Sequence, residues 1–473
     1  MADIGRSTAE LLKDSTPAHV VQYFAAFSVA MGGLSFGTGL GFTSPANPLY
    51  NATGTLDETE LNLFTSIVNL GALVGGPLAG LLINVLGRKG SMMSSVVLSL
   101  AAWALIAFGE DFAPLLSGRI IAGVFTGMTC LVVPTYIGEV SSADIRGALG
   151  SSFQLMVTIG ILYAYVFGSF IDNTRTLALI CAIPTVVYAV LLFFIRESPT
   201  FHIAKGKDDE ARETLQKLRG KNYDVEPEFR TLRDTQEILN RSTVTMKDLL
   251  QPHILKPVLI SLATMFFQQT SGINAVLFNL GSIFESANTG MDFNDSAIVV
   301  GIVQVIATAV AVPLMDRAGR KILLTTSAAV MALSLVALGL AFYVDGLSWL
   351  PLTSLIVYIA AFSVGYGPIP WVLMGEMFSL EVRAAASGLA ILTNWGTAFI
   401  VTLIFDPLQD AIHEYGTYWM FAGICVVNTI FCVMVVPETK GKTLQEIAAH
   451  FGGPELKDDT KPPVGGEKAE ASV

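Results

Sequence analysis

The residues of this sequence best suited to chemistry are neutral polar side chains inside a long apolar run, from about 258 to 283. They are Gln268, Gln269, Thr270, Ser271 and Asn274. A polar group left unsatisfied in hydrocarbon costs several kcal/mol, so these side chains must face protein, water or a ligand. Because an amide both donates and accepts, and because none of these residues is charged, the cluster favours a neutral, hydroxyl-rich ligand. The alternative is hydrogen bonding between packed helices.

Other parts of the sequence supply polar and aromatic side chains that can join this cluster. They are Gln154, Gln304, Glu376, Asn394 and Trp395. The segment 365–371 carries two glycines and two prolines, and Gly272 lies inside the amide cluster, so helix breaks are expected at both places. Freed carbonyls beside the indole of Trp371 suit a sugar, whose C–H faces stack on aromatic rings. Alternatively, Trp371 and Trp395 lie in aromatic belts at the membrane surfaces.

The composition indicates which elements must position these residues. Of the 473 residues, 52% are hydrophobic and 14% are charged, and the mean hydropathy is +0.59. A soluble chain carries about a quarter charged residues, so the deficit indicates an all-α membrane protein with many spans. About 20 apolar residues cross a bilayer. We therefore predict twelve transmembrane helices, near 20–43, 62–84, 91–109, 114–138, 148–171, 176–195, 256–284, 296–315, 322–343, 350–375, 385–405 and 417–436.

The basic residues predict how these spans are oriented. With both termini in the cytoplasm, all 28 Lys and Arg residues except Arg119 and Arg175 fall on the cytoplasmic side, as positive-inside sorting requires. Sequons at Asn51 and Asn294 fall on the other side and are glycosylation candidates. We expect the plasma membrane as the location. The predicted units are a tail (1–19), a six-helix bundle (20–195), a cytoplasmic helical linker (196–253), a second six-helix bundle (254–437) and a tail (438–473).

Charged motifs recur in the same order in both bundles. Each bundle carries Gly-Arg-Lys after its second span, Glu and Arg seven residues apart after its fourth, and Glu after its sixth. Duplicated parallel halves that rock around a site at the midplane are a transporter architecture. The residues expected to gate such movement are Arg88, Glu139, Arg146, Glu197, Asp316, Arg320, Glu376, Arg383 and Glu438.

The gating prediction rests on pairs of Arg and Glu, because an Arg fork binds a carboxylate with two hydrogen bonds. We expect Arg88 to pair with Glu139 or Glu197. In the second bundle we expect Arg320 to pair with Glu376 or Glu438. These pairs would close the inner end of the cavity and part when it opens inward. The alternative is that the charges only anchor the loops in the cytoplasm.

The sequence shows no enzyme signature. Gly441-Lys442-Thr443 resembles the end of a phosphate-binding loop, but Val436 replaces the first glycine of that motif and no strand precedes it. The four cysteines lie in apolar runs, without metal-ligand spacing or a disulfide pattern. We therefore expect no metal, cofactor, nucleotide or nucleic acid. The expected partners are the lipid bilayer and a small neutral solute. We expect the protein to act as a monomer and to move this solute either down its gradient or by coupling to an ion.

These motifs together resemble the sugar porter family of the major facilitator superfamily over nearly the whole chain, and especially the facilitated glucose transporters of animals and trehalose facilitators of insects. Besides the residues above, the matching segments are 87–89, 134–139, 146–147, 197–199, 268–274, 316–321, 367–371 and 437–441. The resemblance implies that sugar contacts Gln154, Gln268, Gln269, Asn274, Glu376, Trp371 and Asn394. Gln304 stands where many relatives have Asn.

One departure from the family bears on mechanism. Proton-coupled relatives carry an Asp in span one where this chain has Gly39. Without a carboxylate there the usual proton carrier is missing, which favours facilitative uniport by alternating access. A proton–sugar symporter and a transport-inactive sugar receptor remain the alternatives. The sequence leaves open whether the sugar is glucose, fructose or trehalose.

Overall fold

The structure, a computed structural model, describes residues 17–241, 248–286, 293–344, 346–379, 382–442 and 444–452. Within these ranges it is helical and contains no strand. The first bundle consists of α1 (Val20–Gly41), α2 (Thr43–Thr53), α3 (Glu58–Val85), α4 (Gly87–Phe108), α5 (Phe112–Val140), α6 (Arg146–Gly168) and α7 (Thr174–Phe194). The linker contains α8 (Pro199–Ala204), α9 (Asp208–Arg219), α10 (Glu226–Arg241) and a 3-10 helix (Asp248–Leu250).

The second bundle repeats this pattern with more breaks. It consists of α11 (Pro252–Thr270), α12 (Ile273–Phe278), α13 (Leu280–Ser286), α14 (Phe293–Ala318), α15 (Arg320–Tyr343), α16 (Leu350–Val364), α17 (Ile369–Met377), α18 (Arg383–Leu403) and α19 (Phe405–Met434). The short helix α20 (Leu444–His450) follows, inside the predicted tail. The rest of that tail, from 453 onward, and residues 1–16 lie outside the described residues.

Eleven helical spans in the described ranges are long and apolar enough to cross a membrane, and each coincides with a predicted one. The seventh prediction, 256–284, differs, because the chain there forms α11, α12 and α13 in succession. Gly272 has a φ of 89° between the first two of these helices, and a Cβ placed on it would lie 2.7 Å from the ring of Phe421. Glycine is therefore required at this break, as the sequence predicted.

Close contact between helix backbones determines how α1 and α6 pack in the first bundle. A Cβ on Gly37 of α1 would lie 2.0 Å from the carbonyl oxygen of Val157, and one on Gly160 of α6 would lie 2.2 Å from that of Leu34. The two helices therefore pack backbone against backbone, as small residues permit in membrane bundles. This contact fixes the position of α6, which carries Gln154.

The linker packs on the first bundle at one end of the molecule. The guanidinium of Arg219, which is 1% exposed, pairs with Glu228 at 2.6 Å and donates to the carbonyl oxygen of Val140 at 2.7 Å. Gln22 of α1 donates to the carbonyl oxygen of Leu218 at 3.2 Å. We call this end, which also carries the clusters around Arg88 and Arg320, the charged face. The other end, which carries Asn51, is the opposite face.

Candidate functional site

A cavity of about 610 Å³ lies between the two bundles. Among the predicted ligand residues, those that line it are Gln154, Gln268, Gln269, Asn274, Gln304, Trp371, Asn394 and Trp395. The first bundle contributes Gln154 through α6, and the second contributes the others through α11, α12, α14, α17 and α18. Both indoles therefore line the cavity rather than the outer surface of the bundles.

Glu376 is the predicted ligand residue that does not line the cavity. It lies at the charged face, where its carboxylate pairs with Arg320 at 2.8 Å and accepts the hydroxyl of Thr439 at 2.5 Å. Both carboxylate oxygens are thus engaged away from the cavity. The prediction of Glu376 as a solute contact is wrong for this conformation, because its position in α17 directs it to the ion pair.

Four side-chain amides form one continuous chain of hydrogen bonds in the cavity wall. Asn274 donates to Oε1 of Gln269 at 2.8 Å, and Gln269 donates to Oδ1 of Asn394 at 3.2 Å. Asn394 donates to Oε1 of Gln268 at 2.6 Å. All four side chains are buried. The amides therefore satisfy one another, and Asn274 at the end of the series retains its Oδ1 and one N–H for a ligand.

The far end of this amide chain is held by a break in the helix. Between α16 and α17 the backbone leaves helical geometry, which frees the carbonyl oxygens of Tyr366 and Gly367. Gln268 donates to these oxygens at 2.6 and 3.0 Å. The glycine and proline pattern predicted this break and its freed carbonyls, but the structure shows that a protein amide occupies them.

The two hydroxyls of the predicted cluster have a different role. Thr270 donates to the carbonyl oxygen of Phe266 at 3.0 Å, and Ser271 donates to that of Gln268 at 2.7 Å. Both bonds stay within α11 and its end, and neither side chain lines the cavity. These hydroxyls stabilise the helix end instead of contacting a solute.

Two polar atoms at the cavity are buried and have no hydrogen-bond partner in the described part of the chain. They are Oε1 of Gln304 and Nε1 of Trp395, each on a side chain that is 3% exposed. An unsatisfied buried polar atom typically costs about 1–3 kcal/mol. One is an acceptor and the other is a donor, and a hydroxyl group can act as the partner of either.

The cavity is closed toward the opposite face by contacts between the bundles. Asn69 of α3 donates to Oγ1 of Thr402 at 3.0 Å, and Tyr165 of α6 donates to the carbonyl oxygen of Leu277 at 3.0 Å. Toward the charged face its wall includes Arg146 and exposed backbone at the start of α6. The conformation is therefore open at the charged face and closed at the other.

The charged face carries one ion-pair cluster in each bundle. Arg88 donates to both carboxylate oxygens of Glu139, at 2.8 and 2.6 Å. Ser198 donates to the same carboxylate, and Glu197 accepts the backbone N–H groups of Arg88 and Lys89, both at 3.0 Å. These bonds join the start of α4, the end of α5 and the segment that follows α7.

The second bundle reproduces this geometry with Arg320 and Glu376. Glu438 accepts the backbone N–H groups of Arg320 and Lys321 at 2.9 and 3.1 Å. Burial alone would raise the pKa of Glu438, but backbone hydrogen bonds from Lys440 and these two residues outweigh it and hold the pKa below its usual range. In each bundle one of the two predicted glutamates, Glu139 or Glu376, binds the guanidinium. The other, Glu197 or Glu438, accepts the backbone N–H groups at the start of the helix.

The sequence predicted that these pairs part when the cavity opens at the charged face, but both are formed in this conformation. Each of them joins helices of a single bundle. The residues at the cavity mouth are Arg146 and Arg383, one from each bundle, and both donate to nearby backbone carbonyls. The side chains of two predicted residues, Asp316 and Asn294, lie outside the described residues.

Arg119 is a residue whose role the sequence analysis did not identify. It falls inside the predicted span 114–138, on the non-cytoplasmic side, and the structure shows it fully buried in α5. Its guanidinium donates to the carbonyl oxygen of Gly39 at 2.9 Å, to Oγ1 of Thr43 at 2.7 Å and to the carbonyl oxygen of Phe64 at 3.2 Å. A charge inside an apolar span is itself a signal for function, and that signal could have identified this residue.

Comparison with known proteins places this geometry among transporters. The family described as sugar (and other) transporter matches residues 23–451. The facilitated trehalose transporter of Bombyx mori is 40% identical over 434 residues, which cover 90% of this chain and 86% of the relative. That of Culex quinquefasciatus is 40% identical over 445 residues, covering 91% and 86%. The inward-open xylose transporter XylE from E. coli aligns with a TM-score of 0.78 at 26% identity, covering 91% of this chain and 99% of that one.

Proposed function

Because the chain belongs to the family of sugar (and other) transporters, we propose that it is a facilitative carrier that moves a neutral sugar down its gradient by alternating access. The chain is a multi-pass membrane protein and not an enzyme. The observation that carries the proposal is the amide chain in the wall of a cavity that is open at one end only. Unpaired atoms of Gln304 and Trp395 at the same cavity supply places for sugar hydroxyls.

The proposed substrate is a hexose such as glucose or the disaccharide trehalose. Relatives in Bombyx mori and Culex quinquefasciatus are named facilitated trehalose transporters. Each neutral hydrogen bond to a sugar hydroxyl contributes only about 1 kcal/mol net. A few such bonds give weak binding, which suits a carrier that must also release its solute.

The absence of proton coupling is supported by the surroundings of Arg119. Where a proton carrier would need a carboxylate, α1 has Gly39, and its carbonyl oxygen accepts the guanidinium instead. No Asp, Glu or His occurs among the described residues that line the cavity. One structural relative, XylE, is named a proton:xylose symporter, but only 26% of its aligned residues are identical.

In this proposal the charged face is cytoplasmic and the protein acts in the plasma membrane as a monomer. The linker, the clusters around Arg88 and Arg320, and both described chain ends lie at that face. The ion pairs then keep each bundle rigid as the two bundles rock. Arg146 and Arg383, at the cavity mouth, are the proposed contacts of the inner gate.

Counterflow in proteoliposomes tests the proposal. Vesicles containing the purified full chain are loaded with unlabelled glucose, fructose or trehalose, and entry of the same labelled sugar is followed. We expect at least one of these sugars to drive counterflow, and Gln269→Leu to reduce it strongly, because this change interrupts the amide chain on both sides. A wild-type protein that supports no counterflow with any of them, or a variant as active as wild type, would contradict the proposal.

A further inference from the structure

We propose that Tyr366 is a positioning residue that fixes the direction of the amide hydrogen bonds, so that Asn274 presents an acceptor to a hydroxyl of the solute. This inference rests on the proposed function, because it describes how the same cavity recognises a sugar. Tyr366 itself does not line the cavity.

The direction is fixed where the chain meets the backbone. Nε2 of Gln268 lies 2.6 Å from the carbonyl oxygen of Tyr366 and 3.0 Å from that of Gly367. A backbone carbonyl can only accept, so the nitrogen end of this amide must face the two oxygens. Both N–H groups of Gln268 are then used, and its Oε1 must point the other way.

This orientation passes along the chain to the cavity. Asn394 must donate to Oε1 of Gln268, since a flipped amide would set two oxygens 2.6 Å apart. Its Oδ1 then accepts from Gln269, whose Oε1 accepts from Asn274. Every donor in the series points from Asn274 toward the backbone of Tyr366, and a reversal of Gln268, Gln269 or Asn394 would break at least two bonds.

The cavity end of the chain is consequently an acceptor. Oδ1 of Asn274 has no hydrogen-bond partner among the described residues, and the side chain lines the cavity. Oε1 of Gln304 is a second unpaired acceptor, and Nε1 of Trp395 is an unpaired donor. A sugar hydroxyl that meets Oδ1 of Asn274 must therefore donate. Fluorine in place of such a hydroxyl accepts but cannot donate, so it would not restore the bond.

Tyr366 holds the two carbonyls in place. It is fully buried, its N–H donates to Oγ of Ser327 at 3.2 Å, and its hydroxyl donates to Oδ1 of Asn428. Sγ of Cys432 lies 3.3 Å from the same hydroxyl. The residue thereby ties the break between α16 and α17 to α15 on one side and to α19 on the other. Removing the hydroxyl frees the break and allows the amides to reorient.

Thermal unfolding of purified protein tests the fixed direction without any sugar. Gln268→Glu removes at least one of the two donors that face carbonyl oxygens, even when the new carboxyl is protonated. Gln304→Glu is the matched control, because Gln304 is equally buried at 3% exposure but its Oε1 has no partner. We expect Gln268→Glu to melt several degrees below Gln304→Glu. Equal melting temperatures would overturn the inference.

Sugar competition tests the role of Tyr366. Monodeoxyfluoro derivatives of D-glucose and of trehalose compete with the labelled parent sugar for wild type and Tyr366→Phe. In wild type we expect at least one derivative to bind about fivefold more weakly than its parent, the loss of one hydrogen bond. In Tyr366→Phe this ratio should fall toward one, because the amide can turn and donate to fluorine.

A merely structural effect would weaken parent and derivative equally and leave their ratio at the wild-type value, and that result would overturn the positioning role. Failure of every parent sugar to bind wild type would refute the proposed function. The melting comparison of Gln268→Glu with Gln304→Glu would then still decide the direction of the amides, so the two failures are distinguishable.

Discussion

Thr402→Val should shift the protein toward a conformation open at the opposite face. Oγ1 of Thr402 in α18 accepts Nδ2 of Asn69 in α3 at 3.0 Å, which joins the two bundles where the cavity is closed. Thr402 is 2% exposed and Asn69 is fully buried. Valine has nearly the shape of threonine, so the change removes the acceptor without leaving a hole.

The magnitude follows from what remains in the closed conformation. The amide donor of Asn69 stays buried without a partner, and its Oδ1 already has none. Leaving a buried donor unsatisfied costs about 1–3 kcal/mol, whereas water satisfies that donor once the bundles separate. The ratio of open to closed protein should therefore rise by a factor of roughly 5 to 150.

Pulsed electron resonance can measure this ratio with spin labels at two exposed positions of the opposite face, Asn51 in the first bundle and Asp410 in the second. The four native cysteines are first replaced. Thr393→Val is the matched control, because Thr393 also lies in α18 and donates only to the carbonyl oxygen of Leu389 in its own helix. A distance distribution for Thr402→Val that matches both wild type and this control would refute the reasoning.

Three further changes have defined outcomes. Gly39→Asp should make sugar uptake depend on pH, because it places a carboxyl group beside the guanidinium of Arg119. There is room for this side chain, since a Cβ at Gly39 meets no atom within 4 Å. Proton flux that stays independent of sugar would contradict this prediction. Arg88→Gln should lower the melting temperature, because it leaves the carboxylate of Glu139 without its charge partner. Adding Glu139→Gln should restore part of the loss, because it removes that uncompensated charge. A double variant no more stable than the single one would contradict the pairing. The lowered pKa of Glu438 means that its charged form adds stability above the ordinary carboxyl pKa, and this stability is lost as pH falls through the lowered value. Melting curves of wild type and Glu438→Gln should therefore converge in acid, and a constant gap would refute the assignment.

The sequence was sufficient where one residue type has one structural solution. Uncharged amides in an apolar run must find polar neighbours, and Gln268 and Asn394 do so at the cavity. Glycine and proline break helices, which predicted the interruptions at Gly272 and before α17. Repeated spacing of Arg and Glu likewise predicted which charges come together at the charged face.

The sequence was insufficient where several partners compete in three dimensions. The sequence allowed Glu376 to contact either a solute or Arg320, and only the folded structure shows that it pairs with Arg320. Arg119 is buried without an acidic partner among the described residues because backbone carbonyls of two neighbouring helices accept hydrogen bonds from its guanidinium. No pattern in the chain shows where those carbonyls lie. The spacing of Arg and Glu in the sequence also does not reveal whether an ion pair joins the two bundles or joins helices within one bundle.

If uncharged amides around a one-sided cavity move a sugar without protons, the sugar cannot be concentrated by a proton gradient. This can be measured as the steady-state level of the labelled sugar that counterflow identifies, inside proteoliposomes under an imposed inward proton gradient. We expect an internal concentration equal to the external one, unchanged by a proton ionophore. Accumulation above the external concentration that the ionophore abolishes would show that transport is coupled to protons.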